Sequence, residues 1–391
     1  MTHAPAARSA YRVRRLSWLL WILAQAACRS PDDAPAGDPA PLESPLTALL
    51  RKTGTLRVIP VEEFERVPDA VVVLEDGRLV LPEVEGAWIH VTRPDGEGLT
   101  RLGGPAAGAR PGNVAGRFGS LAGVAPTPGG GLLAADRASG VLTAFSSALA
   151  PDSSFTLPET RSVWQIEALR GGAYAAAVSP RHPLAGGQVL TFGGADSTRA
   201  WFVPDPIFRH NRWESVSSTR IESLTDGRLL AYWSPLPWAR VLSTGGDTLP
   251  PIGRFSRRYK GPPSGPPAGA ALPALRQWFA SWTPLVTVES VGTMVLFQFL
   301  EAASPLDSVG TGRARSSGSV ARRAAEPDGA LAGKEPRRLF VNVYDATGRP
   351  LAQDLLLPAG SRILRSNDRD HLYVLTGASR RGLEIEVWEP R

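Results

Sequence analysis

A chain of 391 residues with 43% apolar content can bury one large all-β domain or two ordinary ones. Its 40 glycines and 36 prolines favour many short strands and turns, while the apolar content and the lack of a glycine period exclude disordered and collagen-like classes. The charge of +6 is concentrated in two segments, which argues against a nucleic-acid partner: residues 1–27 hold four arginines and no acids, and residues 301–338 hold seven basic residues against five acids.

At the N-terminus, Arg8, Arg12, Arg14 and Arg15 precede the apolar run "LSWLLWILAQAA", residues 16–27. A basic segment, a twelve-residue apolar core and small residues at its end are the grammar of an export signal, and the core is too short to span a bilayer comfortably. Cys28, the only cysteine, follows at once, so no internal disulfide is possible. With Ala26 and Ala27 before it, Cys28 resembles the lipobox cysteine of bacterial lipoproteins, with Gln25 where that motif usually has Leu, which implies lipid attachment there. Ordinary cleavage after Ala26 is the alternative. Residues 28–50 are rich in Pro, Ala and Asp and read as a tether. The expected location is extracytoplasmic: lipid-anchored in a bacterial cell envelope, or periplasmic or secreted if Cys28 carries no lipid.

From residue 51 a strand-rich unit recurs. "AVVVLEDGRLVLPEVEGAWIHVTRPDG" (70–96) has two strands about Asp76-Gly77 and a third ending at Pro-Asp-Gly. The same order returns at 121–152, 164–196 and 219–249, where "TRIESLTDGRLLAYW" is the clearest copy. It returns again at 285–302 with 337–358, and at 362–390. No unit can bury its apolar faces alone, and about 51 residues per unit lies near the propeller period. The expected fold is a six-bladed β-propeller over residues 51–391. The last unit stops after its third strand, and "GTLRVIPVEEF" (54–64) has no hairpin partner, so this run is expected to complete that blade and close the ring. Two interruptions are expected. One is a helix over about 270–283, from Leu272, Leu275, Trp278, Phe279 and Trp282 at helical spacing beside Pro273; the other is a disordered, apolar-poor insertion over about 303–336.

The units and the Gly-rich connector "LGGPAAGARPGNVAGRFGSLAGVA" (102–125) resemble bacterial six-bladed propeller families related to NHL repeats. Propellers host many unrelated functions, so the resemblance implies shape.

Aligning the inner strands places Glu167 ("QIEAL"), Glu222 ("RIESL") and Glu289 ("TVESV") at matching positions of consecutive units, with Arg365 ("ILRSN") in the last. If these strands line a channel, the three carboxylates either hold a divalent cation such as Ca²⁺ or cap backbone N–H groups and pair with Arg365. Lactonase-type six-bladed hydrolases use a channel metal, which makes a metal-dependent hydrolase the alternative function. The favoured one is a ligand-binding or interaction scaffold for a protein, peptide or glycan. Neither HExxH nor paired histidines appear: His90 lies in an alternating strand, His182 and His210 in loops and His371 at the last inner turn. Trp201, Trp213, Trp233 and Trp238 offer either a stacking face or inter-blade core.

Overall fold

The computed structural model describes residues 46–391 except 85, 106–114, 159, 181–187, 194–198, 203–217, 264, 266, 268 and 303–337. The segments expected to be an export signal, most of a tether and a disordered insertion, together with Cys28, His182, His210 and Trp213, lie outside the described residues.

Strand β1 (Leu50–Val58) comes first. Four-stranded groups follow in chain order. The first is β2 (Ala70–Val73), β3 (Leu79–Pro82), β4 (Trp88–Thr92) and β5 (Gly98–Gly103), and the second β6 (Leu121–Thr127), β7 (Gly131–Asp136), β8 (Val141–Phe145) and β9 (Pro151–Thr156). The third is β10 (Thr160–Ala168), β11 (Tyr174–Pro180), β12 (Val189–Phe192) and β13 (Arg199–Phe202). The fourth is β14 (Arg220–Ser223), β15 (Leu229–Tyr232), β16 (Trp238–Leu242) and β17 (Thr248–Gly253). After helix α1 (Leu272–Ala280) come β18 (Leu285–Val291), β19 (Met294–Leu300), β20 (Leu339–Asp345) and β21 (Pro350–Leu356), then β22 (Arg362–Ser366), β23 (Leu372–Ser379) and β24 (Gly382–Pro390). Within each group neighbours pair antiparallel in sequence order. β2 pairs parallel with β22, Ala70 opposite Arg365, which joins the first and last groups into one eight-stranded sheet.

The hydrophobic clusters lie between sheets, which explains why the inner and second strands read as unbroken apolar runs. Val72, Val80 and Ile89 of the first group pack with Leu121, Leu132 and Phe145 of the second. Leu230 and Val241 of the fourth pack with Val288, Phe297 and Phe340 of the fifth. Outer strands face water, and every residue of β9 is exposed. The first strand of each group touches the first strand of the next, and β22 touches β2.

The recurring hairpin turn has a clear chemistry. Gly77 (φ 84°) and Gly227 (φ 87°) take the left-handed conformation that the turn after Asp requires. Asp76 and Asp226 each accept from the backbone N–H and the Nε–H of the arginine two residues on, Arg78 and Arg228. Each arginine then reaches the next group: Arg228 Nη2 donates to the Ala346 carbonyl at 2.8 Å, and Arg78 Nη2 to Ser147 O at 3.0 Å. One short motif therefore fixes a turn and ties neighbouring sheets.

The run expected to form a strand over 54–64 does so over Leu50–Val58. It begins early because Leu50 is buried among Val291, Leu296, Ile363 and Val374, and it ends before Pro60, which has no N–H to donate. It lies antiparallel along β24, with Thr55 opposite Glu386 and Val58 opposite Leu383. Beyond it, the Ile59 N–H donates to Gly96 O at 2.9 Å. Gly96 has φ 90°, and a Cβ there would sit 2.4 Å from the Arg57 carbonyl oxygen. Gly96→Ala is therefore expected to cost about 2 kcal/mol or more in urea unfolding, from both backbone strain and collision with backbone.

Helix α1 falls inside the expected 270–283 span, with Pro273 in its first turn. Its buried Trp278 and Phe279 cluster with Trp282, ring centroids 4.8 to 6.1 Å apart. No helix among the described residues is long and apolar enough to cross a membrane.

Candidate functional site

The inner strands β6, β10, β14 and β18 are sheet edges, and β22 pairs with β2 only at Arg365 and Ser366, so much of the inner-strand backbone lacks ladder partners. Side chains from the preceding group supply them. Gln165 brackets Ile221, its Nε2 donating to the Ile221 carbonyl (2.5 Å) and its Oε1 accepting from the Ile221 N–H (3.3 Å). Glu222 Oε1 accepts from Ser290 N–H (3.0 Å), Gln298 Oε1 from Ile363 N–H (2.6 Å), and Glu289 Oε1 from Ser366 N–H (2.9 Å). Glu222 and Glu289 thus each cap the backbone of the next group, one of the two roles the sequence offers them. Glu167 instead accepts from Gln165 Nε2 at 2.7 Å.

The three glutamates do converge, and their common partner is Arg369. Its Nη1 donates to Glu222 Oε1 and to Ser366 O (3.0 Å), and its Nη2 donates to Ser223 Oγ (2.7 Å). Glu167 Oε2 lies 3.7 Å and Glu289 Oε1 3.9 Å from the same guanidinium. Arg365, the cation expected there, points to Asp69 at 3.5 Å while remaining near enough for Glu167 and Glu289 to feel its charge. Arg369 sits in "NDRDH", a turn that reads as solvated. Asp368 turns it inward by accepting from His371 Nδ1 (2.9 Å), from the Tyr373 hydroxyl (2.8 Å) and from Asp370 N–H (3.0 Å). The Gly292 N–H holds the Arg369 carbonyl at 2.6 Å.

Electrostatically, burial dominates. It pushes the Glu222 carboxyl up to about 8 against the pull of Arg369, with the charge of Glu167 adding to the rise. Burial likewise raises Glu167 and, further, Glu289, where Glu222 adds repulsion. Burial opposes the charges on Arg365 and Arg369, but the surrounding acids outweigh it and hold both guanidiniums ionised. The Oε2 atoms of Glu222 and Glu289 are buried without a partner, a costly place for full negative charge. Glu167 and Arg365, with Asn367, Val72 and Val124, also line a cavity of about 20 Å³, room for about one water.

A raised carboxyl pKa means that the folded protein holds protons which the unfolded chain has released. That stability is fully present below the ordinary glutamate value of 4.5 and is lost as pH rises through about 8. Urea midpoints are therefore expected to fall between pH 5 and 8, by up to about 1.4 kcal/mol per pH unit for each group that holds its proton. Glu222→Gln, which mimics the protonated form, is expected to flatten that slope; an unchanged slope would place the protons elsewhere.

A divalent cation, one of the two roles the sequence offers the glutamates, does not fit these residues: the Arg369 guanidinium lies within 4 Å of all three carboxylates. Among the described residues no three His, Cys, Asp or Glu side chains are grouped to hold a metal ion.

A second polar cluster escaped the sequence reading. His90 is buried on β4, its Nε2 2.7 Å from Glu83 Oε1, with the Phe64 ring 4.3 Å from its own. Glu83 also accepts from the backbone N–H groups of Glu65 (3.2 Å) and Arg66 (2.9 Å). Arg101 stacks on Trp88 at 3.7 Å and pairs with Glu62 and Glu65. The cluster clamps the segment that links β1 to β2. Trp233 is core, donating to Thr219 Oγ1 at 3.0 Å, whereas Trp238 is half-buried with Arg240 5.8 Å over its ring. The Trp201 side chain lies outside the described residues.

No family model matches the chain, and no curated protein matches it significantly. Solved structures do. A DUF4221-family member from Bacteroides vulgatus superposes with a TM-score of 0.59 at 10% identity, covering 88% of this chain and 98% of that one. A protein from Bacteroides fragilis, named for its inferred export, gives 0.52 at 10% identity, covering 90% and 98%. A gluconolactonase from Xanthomonas campestris gives only 0.46 at 13% identity, covering 92% and 99%, and at that score carries no argument about activity. At such identities the likeness shows the fold alone, and that fold is the β-propeller.

Proposed function

We propose that this chain is an exported six-bladed propeller related to NHL-type families, closed by β1 as the fourth strand of the last blade, that acts as a binding scaffold. Cys28 carries the lipid that holds it to a bacterial envelope membrane. The observation that carries the scaffold reading is Arg369 among Glu167, Glu222 and Glu289: its guanidinium supplies the positive charge that the three carboxylates share. The ligand, a protein, peptide or glycan, binds where loops between strands gather on one face.

The test is a thermal-shift screen of the purified protein over chelator, divalent metals, sugars and peptides. A scaffold is expected to keep its melting temperature with chelator and to gain stability with a cognate glycan or peptide. A fall with chelator that Ca²⁺ restores would support the metal-dependent hydrolase instead. Incorporation of labelled lipid into wild type but not into Cys28→Ser tests the anchor.

A further inference from the structure

The segment after β17, "RFSRRYK" (254–260), crosses the outer strands of the fifth group on its way to α1. Its Phe255 is 70% exposed, the highest value among the large apolar side chains described. The ring is nonetheless held in place. It packs edge-on to Tyr259 at 5.5 Å, and Tyr259 packs edge-on to the buried Phe299 at 5.8 Å while donating its hydroxyl to Pro235 O at 2.8 Å. The backbone is pinned as well. Arg254 N–H donates to the Tyr344 hydroxyl (3.2 Å), Arg258 N–H to Asp354 Oδ1 (3.3 Å) and Lys260 N–H to Thr283 Oγ1 (3.1 Å).

Four cations flank the ring, and they are not equivalent. Arg258 is paired with Glu301 at 2.8 Å, and Arg254 is engaged within the fold. Arg257 and Lys260 are exposed, and among the described residues neither has an ion-pair partner. An immobilised, exposed aromatic ring therefore shares a seven-residue segment with two exposed cations that carry no ion pair. Beside it, the Glu301 N–H donates to Arg338 O at 2.9 Å.

We propose that this rim docks on an anionic phospholipid surface, with Phe255 entering the interface and Arg257 and Lys260 meeting phosphate groups. A small soluble anion would need convergent donors in a concave site, whereas an exposed ring with two exposed cations on the same short segment matches a flat, charged and partly apolar surface. The proposal rests on the reading that Cys28 holds the protein near a membrane. The eighteen residues from Cys28 to Pro45 can span about 60 Å when extended, so an anchor at Cys28 need not fix which face of the folded unit meets the bilayer.

The test uses the full chain as exported, with Cys28→Ser to remove the anchor, in vesicle flotation. The protein is expected to float with phosphatidylglycerol-containing vesicles and not with phosphatidylcholine alone, and to be released by salt. Arg257→Ser with Lys260→Ser is expected to weaken vesicle affinity about 30-fold, and Phe255→Ser to weaken it further, with melting temperature unchanged because all three side chains are exposed. Absence of flotation, flotation indifferent to lipid charge, equal affinity of the triple variant, or capture by an acidic protein in preference to vesicles overturns the proposal. If wild type takes up no labelled lipid, the anchor reading fails separately, and flotation still decides whether the surface exists.

Discussion

Replacing Arg369 with alanine is expected to lower the unfolding free energy by about 3–5 kcal/mol near pH 8, the cost of leaving buried carboxyls without their cation. The loss should shrink as pH falls toward 4.5. Without the guanidinium the three glutamates hold their protons more tightly in the folded state, and the price of that protonation vanishes where the unfolded chain is protonated too. Arg369→Lys should recover only part, because an ammonium cannot serve Glu222, Ser223 and Ser366 at once as the planar fork does. Urea unfolding at pH 5 and pH 8 reads both effects. A pH-independent loss would mean that Arg369 matters through packing rather than through charge.

The second large effect concerns β1. A chain shortened to begin at Ile59 is expected to lose about 5 kcal/mol or more, or its cooperative melting transition altogether. It loses two fully buried side chains, Leu50 and Val58, and exposes the whole hydrogen-bonding edge of β24. Leu50→Ala alone should cost about 3 kcal/mol. Amide exchange along Leu383–Val387 localises the damage, since those residues face β1. If the shortened chain melts like the full one, β1 is an ornament on a sheet that stands without it.

Several elements were legible in the sequence because they answer to local rules. The Asp226-Gly227 turn needs a left-handed residue, and Gly227 supplies it at φ 87°. Helix α1 announces itself through Trp278, Phe279 and Trp282 at one-turn spacing after a proline. Glu167, Glu222 and Glu289 could be aligned because each sits at the same step of an inner strand. What stayed hidden depends on direction and distance. Whether Arg369 points to solvent or inward is decided by Asp368, His371 and Tyr373, and its partners lie up to two hundred residues earlier. The clamp of His90 by Glu83 draws on Phe64, Glu65 and Arg66, which belong to a connecting segment with no periodicity to read. The start of β1 moved to Leu50 because the burial of that leucine is a tertiary fact.

The pairing of β1 with β24 has a geometric corollary for anyone handling the protein. The Arg391 N–H donates to Leu49 O at 3.1 Å, so Arg391 and the beginning of the described chain lie side by side at one sheet. A tag appended after Arg391 would therefore leave from beside Leu49. A short peptide joining Arg391 to Leu46, with new termini opened at the Gly245–Gly246 turn, would give a circular permutant presented in a different orientation.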